Sequence, residues 1–274
     1  MKRLCLVVLA TVAALLVLGG STALAGGHRG PNPCASGTLA PGSYSGFTIS
    51  GSCTVQGGGP GTPSVVTING DLILADGAAL HAIVPFTAVH ITGDVKVGKG
   101  AAFDLGCTVI GCGFPADTND VVDGDIYANQ PLRLALDGDT IHGSVVSNGG
   151  GPGTSQFLNF PVKDNHIGGN LILQGWQGGW IGAVRNTVGG NVVVSNNASV
   201  VHETPLNCDN NDPNPANHCT GFAPGADTDS TEVVTNTISG NLICYGNTPA
   251  AQVGDSGGLP NTVGGKAIGE CAGL

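Results

Sequence analysis

The residues best suited to bind a metal ion lie in one polar stretch near the end of the chain. Four short side chains with ligand oxygen atoms lie between Cys208 and Cys219: Asp209, Asn211, Asp212 and Asn214. Calcium takes six to eight oxygen ligands, so this loop is a candidate calcium site, and the sequence indicates no other cofactor. The spacing matches no EF-hand, and a solvated polar loop has the same composition. Both interpretations fit the sequence.

Two aromatic side chains could bind a sugar ring. Trp176 and Trp180 are the only tryptophans in a chain of which aromatic residues make up 4%. An exposed indole has a large, flat, apolar face that can stack on a sugar. The sequence therefore predicts a glycan-binding pair at Trp176 and Trp180. The alternative is that the two indoles fill corners of the fold and have a structural role.

No group of residues forms an evident catalytic centre. Glycoside hydrolysis by general acid and base needs two carboxyl groups held several ångströms apart, and the chain has no Asp-Asp pair. We therefore assign no catalytic residue, and a carbohydrate-active enzyme is the alternative to a structural or binding protein. A cleft with converging carboxylates, or a carboxylate–arginine set, would favour the enzyme.

A short repeat determines how these candidate residues are positioned. Nine segments share the pattern apolar, any, glycine, small or polar, apolar, any, small or apolar: Ile49–Val55, Ile68–Leu74, Ile91–Val97, Val122–Ala128, Ile141–Ser147, Ile167–Leu173, Val188–Val194, Ile238–Cys244 and Val263–Gly269. Such spacing is typical of solenoids, whose units bury their apolar faces against their neighbours. The apolar residues alternate, as in a strand with one buried face. We expect an all-β fold, a right-handed parallel β-helix of about nine coils with protruding loops. A β-sandwich is the alternative.

Asparagines recur at the edges of several repeats, as in Asn186–Asn191, Asn236–Asn241 and Asn261–Lys266. Asparagine tolerates the left-handed backbone conformation that corners require. Stacked amide side chains can also hydrogen-bond to one another from coil to coil. The sequence therefore predicts a structural role for these asparagines at the corners of the solenoid.

The chain begins with the features of a secretory signal peptide. Lys2 and Arg3 precede an apolar run, and Thr22–Ala25 ends in small residues, so we expect cleavage after Ala25. Residues 26–45 are rich in Gly, Pro and Ser and are predicted to form a flexible lead-in. Residues 46–274 are predicted to form a single β-solenoid domain, with a polar loop insertion at about 199–232.

Eight cysteines remain after removal of the signal peptide, an even number typical of disulfides in an oxidising compartment. Pairing of sequence neighbours predicts four bonds: Cys34–Cys53, Cys107–Cys112, Cys208–Cys219 and Cys244–Cys271. Spacing does not determine connectivity, so these pairs are hypotheses. Zinc is the alternative for Cys107 and Cys112.

The charge limits the classes of partner. The formal charge of −10 becomes −12 when Lys2 and Arg3 are removed, which argues against nucleic acid and anionic membrane. No apolar segment after the signal peptide is long enough to span a bilayer. We expect a secreted protein, extracellular or associated with the cell envelope, that contacts an extracellular glycan or a cell-surface protein.

The C-terminal part of the chain resembles a group of uncharacterised secreted bacterial β-solenoid repeat proteins. Two segments carry the resemblance, Asn236–Pro249 (NTISGNLICYGNTP) and Asn261–Leu274 (NTVGGKAIGECAGL). The resemblance implies a secreted β-solenoid and brings no catalytic residues. A more general likeness to pectin-lyase-type parallel β-helices concerns shape alone, and shape does not establish activity.

Overall fold

Strands are the only regular secondary structure among the residues that the computed structural model describes, which are 32–59, 61–106, 120–151, 160–199, 231–253 and 259–274. In chain order the strands are β1 (Thr38–Leu39), β2 (Gly42–Ile49), β3 (Ser52–Val55), β4 (Ser64–Leu74), β5 (Ala79–His81), β6 (Thr87–Ile91), β7 (Val95–Val97), β8 (Ala102–Leu105), β9 (Val121–Val122), β10 (Ile126–Asn129), β11 (Arg133–Asp137), β12 (Thr140–Ile141), β13 (Val145–Asn148), β14 (Phe160–Lys163), β15 (His166–Ile167), β16 (Leu171–Gln174), β17 (Gln177–Gly178), β18 (Ile181–Val184), β19 (Thr187–Val188), β20 (Val192–Ser195), β21 (Ala198–Ser199), β22 (Thr231–Val234), β23 (Thr237–Ile238), β24 (Leu242–Tyr245), β25 (Thr262–Val263) and β26 (Ala267–Gly269).

Of the 26 described strands, 24 form the three faces of a parallel β-helix, and β17 and β21 pair in a separate two-stranded sheet. The first face contains the strands before the repeat glycine (β6, β9, β12, β15, β19, β23 and β25), and the second face contains those after it (β7, β10, β13, β16, β20, β24 and β26). Strands β2 and β4 run through both faces, which together make one sheet of 16 strands. The third face is a sheet of eight strands (β1, β3, β5, β8, β11, β14, β18 and β22). With β2 and β4, the first face has nine strands in the described part of the chain. The predicted all-β parallel β-helix is confirmed.

A continuous apolar core lies inside the three faces. The parallel register places equivalent aliphatic residues above one another in successive coils, for example Ile91, Val122 and Ile141 on the first face. On the second face, Val145 aligns with Leu171. All of these side chains are buried. Each coil therefore covers the apolar side chains of its neighbours, as the solenoid pattern requires.

The repeat glycines are required because a side chain from the preceding coil lies against them. A Cβ atom on Gly93 would lie 2.5 Å from Asp71 Oδ1, and one on Gly190 would lie 2.5 Å from Asn170 Oδ1. The residues that follow the repeat glycines form what we call the glycine-corner ladder: Asp71, Asp94, Asp125, Ser144, Asn170, Asn191, Asn241 and Lys266. Each of the first seven accepts, through a side-chain oxygen, the backbone N–H of the next member at 2.6–3.0 Å.

The first coil does not follow the predicted repeat. The sequence pattern places its corner at Gly51, but Ser45 pairs with Asn69 and Phe47 pairs with Leu72, with a register shift between them at Gly46. Gly46 is therefore the corner glycine, and segment Ile49–Val55 passes from the second face to the third. The prediction for this copy was wrong because its glycine and alternating apolar residues also suit a turn between two faces. Phe47 follows Gly46 directly, so this coil contributes no oxygen to the glycine-corner ladder.

Four asparagines stack between the third face and the first face of the next coil. This amide ladder consists of Asn165, Asn186, Asn236 and Asn261. Each of the last three accepts, through Oδ1, both the backbone N–H and the side-chain N–H of the preceding member. Each amide nitrogen also donates to a carbonyl oxygen of a third-face strand. The predicted amide stacking is confirmed. The left-handed conformation belongs instead to the preceding residues, Asp164, Arg185 and Thr235.

Two buried aspartates lie at the same corner as the amide ladder, in the coils that precede it. Asp139 is one coil before Asn165, and Asp120 is two coils before it. Asp139 donates its backbone N–H to Asn165 Oδ1, and Asp120 accepts the backbone N–H of Val89. Burial raises the pKa of Asp120 to about 7. Burial, together with the charges of Asp120 and Asp137, raises the pKa of Asp139. One oxygen atom of each carboxyl group, Asp120 Oδ2 and Asp139 Oδ1, has no hydrogen-bond partner.

We expect Asp139→Asn to stabilise the protein at pH 8 by about 1–3 kcal/mol, because it removes a buried charge and adds an amide donor. A carboxyl group whose pKa is raised on folding contributes stability that is complete near pH 4 and is lost as the pH rises through the folded pKa. The advantage of the variant should therefore disappear at pH 4. Thermal unfolding of both proteins at pH 4, 6 and 8 measures the difference, and an equal difference at all three pH values would contradict the assignment.

Two of the predicted disulfides are present, Cys34–Cys53 and Cys244–Cys271. The first joins the segment before β1 to β3, and β1 and β2 begin at Thr38 and Gly42. The predicted lead-in of residues 26–45 therefore overlaps the solenoid. The pairs Cys107–Cys112 and Cys208–Cys219 and the signal peptide lie outside the described residues. Within those residues, no helix has the length and apolar character needed to cross a membrane.

Candidate functional site

Both tryptophans predicted to bind glycan are buried. The side chain of Trp176 is 2% exposed and belongs to the main core, and Trp180 is 6% exposed. The Trp180 ring lies over Gly182 and donates its indole N–H to Glu232 Oε2. Stacking on a sugar requires an exposed indole face, which neither residue offers. The glycan-binding assignment to Trp176 and Trp180 is therefore corrected to a packing role.

The predicted calcium ligands, Asp209, Asn211, Asp212 and Asn214, lie outside the described residues. In the part of the chain that the structure describes, no group of three or more His, Cys, Asp or Glu side chains could hold a metal ion. At the end of the first face, the Asp123 carboxylate forms hydrogen bonds with His90 at 2.8 Å and with His142 at 3.0 Å. The hydrogen bond from His90 is the main cause that lowers the pKa of Asp123.

A carboxylate–arginine set lies on the third face. Asp104 is 4% exposed, and its two oxygen atoms lie 2.8 Å from His81 Nδ1 and 3.0 Å from Arg133 Nε. The His81 side chain is 44% exposed. One carboxylate oxygen faces Arg133 and the other faces His81, so the carboxyl group is not free to contact a substrate. The His81 and Arg133 side chains, which are 44% and 36% exposed, are the parts of this set that a ligand could reach.

An open groove runs along the corner between the second and third faces. It encloses about 360 Å³ and is lined by residues from four successive coils: Lys99, Gly100, Gln130, Gly149, Gly150, Gly151, Gly175 and Gln177. Backbone hydrogen bonds hold these coils together, since Gly100 donates to the Gln130 carbonyl and Gly149 donates to the Gln174 carbonyl. The groove therefore follows the axis along which the coils stack.

The floor of the groove requires glycine for steric reasons. A Cβ atom on Gly150 would clash with the Pro131 carbonyl oxygen, and one on Gly151 would clash with the Gln177 carbonyl oxygen. A Cβ on Gly151 would also lie 3.1 Å from the Trp176 ring. The buried Trp176 indole thus supports the glycine floor from inside the core. A ligand in the groove would meet backbone groups at close range.

Amide side chains lie in and beside the groove. Gln130 and Gln177 line it and are exposed, and a row of three further amides, Asn129, Asn148 and Gln174, stands on the adjacent edge of the second face in direct register. An amide both donates and accepts hydrogen bonds, as a sugar hydroxyl does. The arrangement can therefore bind several hydroxyl groups along a line.

Comparison with known protein families, characterised proteins and solved structures finds no match. The long parallel sheets support the resemblance to secreted β-solenoid repeat proteins only as far as the β-solenoid fold. The groove was not predicted from the sequence, because the residues that line it are far apart in the chain. The signals that point to it are the cluster Gly149–Gly151 and the glutamines at the same corner, which can be recognised only once the coils are aligned.

Proposed function

We propose that the protein is a secreted glycan-binding protein that holds a linear polysaccharide in the groove between its second and third faces. The observation that carries this proposal is the alignment of groove and amide side chains with the stacking axis over four coils. The two disulfides and the predicted signal peptide support an extracellular location.

The geometry suits a repeating ligand. Successive coils of a parallel β-helix are spaced about 4.8 Å apart, so equivalent side chains recur at a fixed interval along the groove. A polysaccharide chain likewise presents equivalent hydroxyl groups at a fixed interval. Gln130 and Gln177 can satisfy hydroxyl groups as donors and acceptors, and the glycine floor lets the chain approach the backbone. The described residues that line the groove are glutamines, glycines and one lysine. They can bind a sugar but include no pair of carboxyl groups, which favours binding over cleavage.

Gly100→Asn tests the groove directly. Gly100 lines the groove with φ +67°, and a Cβ there would meet no atom within 4 Å, so the new side chain projects into open space. Asparagine tolerates this conformation. We expect at least about a tenfold loss of affinity, equivalent to about 1.4 kcal/mol, on a glycan array probed with the mature protein.

Gly77→Asn is the matched control. Gly77 occupies the equivalent corner one coil earlier, with φ +71° and open space around a Cβ, but it does not line the groove. This variant should bind as the wild type does. No binding by the wild-type protein to any glycan on the array, or equal binding by the Gly100→Asn variant, would refute the proposed function.

A further inference from the structure

Among the basic side chains that the structure describes, two form no ion pair. Four pair with aspartates: Lys96 with Asp71, Arg133 with Asp104, Lys163 with Asp137 and Arg185 with Asp164. The other two are Lys99, which lines the groove, and Lys266, in the last coil. A chain with a formal charge of −10 thus keeps an unpaired cation at its candidate binding site.

Among the described residues, Lys99 is also the only charged one that lines the groove. The nearby Asp76 lies outside the lining, and its Oδ1 accepts the backbone N–H of Lys99 at 2.8 Å. The Lys99 ammonium group carries three donors and no acceptor. Its charge complements a carboxylate, while the remaining lining residues complement hydroxyl groups.

The number of charges determines what kind of acidic polysaccharide fits. Four coils of groove contain one cation, and the protein around it is strongly acidic. A polymer with a carboxylate on every sugar would place several unpaired negative charges along this length and would be repelled. We infer that the groove recognises a mainly neutral polysaccharide with widely spaced uronic acid units, one of which binds Lys99. This inference rests on the proposed glycan-binding function.

The test compares glucuronoxylan, in which uronic acids are sparse, with the same polymer after chemical reduction of its carboxyl groups. Calorimetric titration of the mature protein should give about fivefold tighter binding to the acidic form, the upper range for an exposed ion pair. High salt should abolish this preference. Lys99→Gln should bind both forms equally, and Lys99→Arg should keep most of the preference.

Lys266→Gln is the matched control, because it removes the other unpaired cation at a position outside the groove. It should keep the wild-type preference. Equal binding of both polymers by the wild type, an unchanged preference in Lys99→Gln, or binding to neither polymer would overturn the inference. Loss of array binding in Gly100→Asn would still support the proposed function in each of these cases, so the two failures are distinguishable.

Discussion

Asn236→Asp should destabilise the protein by about 3–5 kcal/mol at pH 8, the cost of leaving a buried charge without a partner. The Asn236 amide nitrogen donates to the Ala183 carbonyl and to Asn261 Oδ1. An ionised aspartate would replace this donor with an acceptor and would repel both oxygens. The residue is 1% exposed, so water cannot compensate.

The loss should depend on pH. Burial raises the pKa of a carboxyl group, and a protonated Asp at position 236 could donate one hydrogen bond. Part of the lost stability should therefore return at pH 4 and disappear again as the pH rises through the raised pKa. Chemical unfolding at pH 4 and pH 8 measures both effects.

Asn191→Asp provides the control in the glycine-corner ladder. Asn191 is half-buried, and the equivalent residues in earlier coils are the aspartates Asp71, Asp94 and Asp125. The Asn191 amide nitrogen also donates to Asn170 Oδ1 at 3.2 Å, but water still reaches this half-buried site, so we expect a loss of only about 1 kcal/mol. Similar losses in the two variants would show that burial in the amide ladder is not the cause.

Trp176→Ala should cost about 3–5 kcal/mol, the range for removing a buried aromatic side chain from a packed core. The indole is 2% exposed and lies beneath Gly151 in the groove floor. The cavity left behind would remove support from the floor, so binding in the groove should weaken as well. Denaturant unfolding of the variant gives the stability change.

Tyr245→Ala is a suitable comparison, because Tyr245 is an aromatic residue of the second face that is 48% exposed. This variant should lose less than about 1 kcal/mol. Trp176→Phe should keep most of the stability and the glycan binding, since a phenyl ring fills much of the same space. Full stability in Trp176→Ala would contradict the packing role.

The sequence was sufficient to predict the fold because its physical requirements recur locally. A glycine such as Gly190 is needed where a ladder side chain crosses the corner, and an asparagine such as Asn236 donates to a buried carbonyl oxygen of the third face. The corner glycine recurs in all nine described coils, and the asparagine recurs in the last four. The first corner was misplaced because Gly46 and Gly51 occupy equally plausible local patterns.

The candidate site could not be predicted in the same way. The burial of Trp176 depends on which side of a corner faces the core, and sequence spacing does not determine that. The groove forms only when Lys99, Gln130 and Gln177 are brought to one corner by coils of unequal length. Loops between the repeats hide this alignment in the sequence.

The residues at the two ends of the glycine-corner ladder affect whether a second copy of the protein could extend it. Asp71 is its first oxygen-bearing member, because Phe47 follows the first corner glycine, and its last member is Lys266, whose ammonium group cannot accept a hydrogen bond. Exposed strand edges otherwise act as templates for growth by further copies. A second molecule added at the first end would meet a coil that has no ladder oxygen, because Phe47 is in register with Leu72 and not with Asp71. One added at the last end would meet a positive charge. The glycine-corner ladder of the described residues therefore offers a further copy no side-chain oxygen at either end.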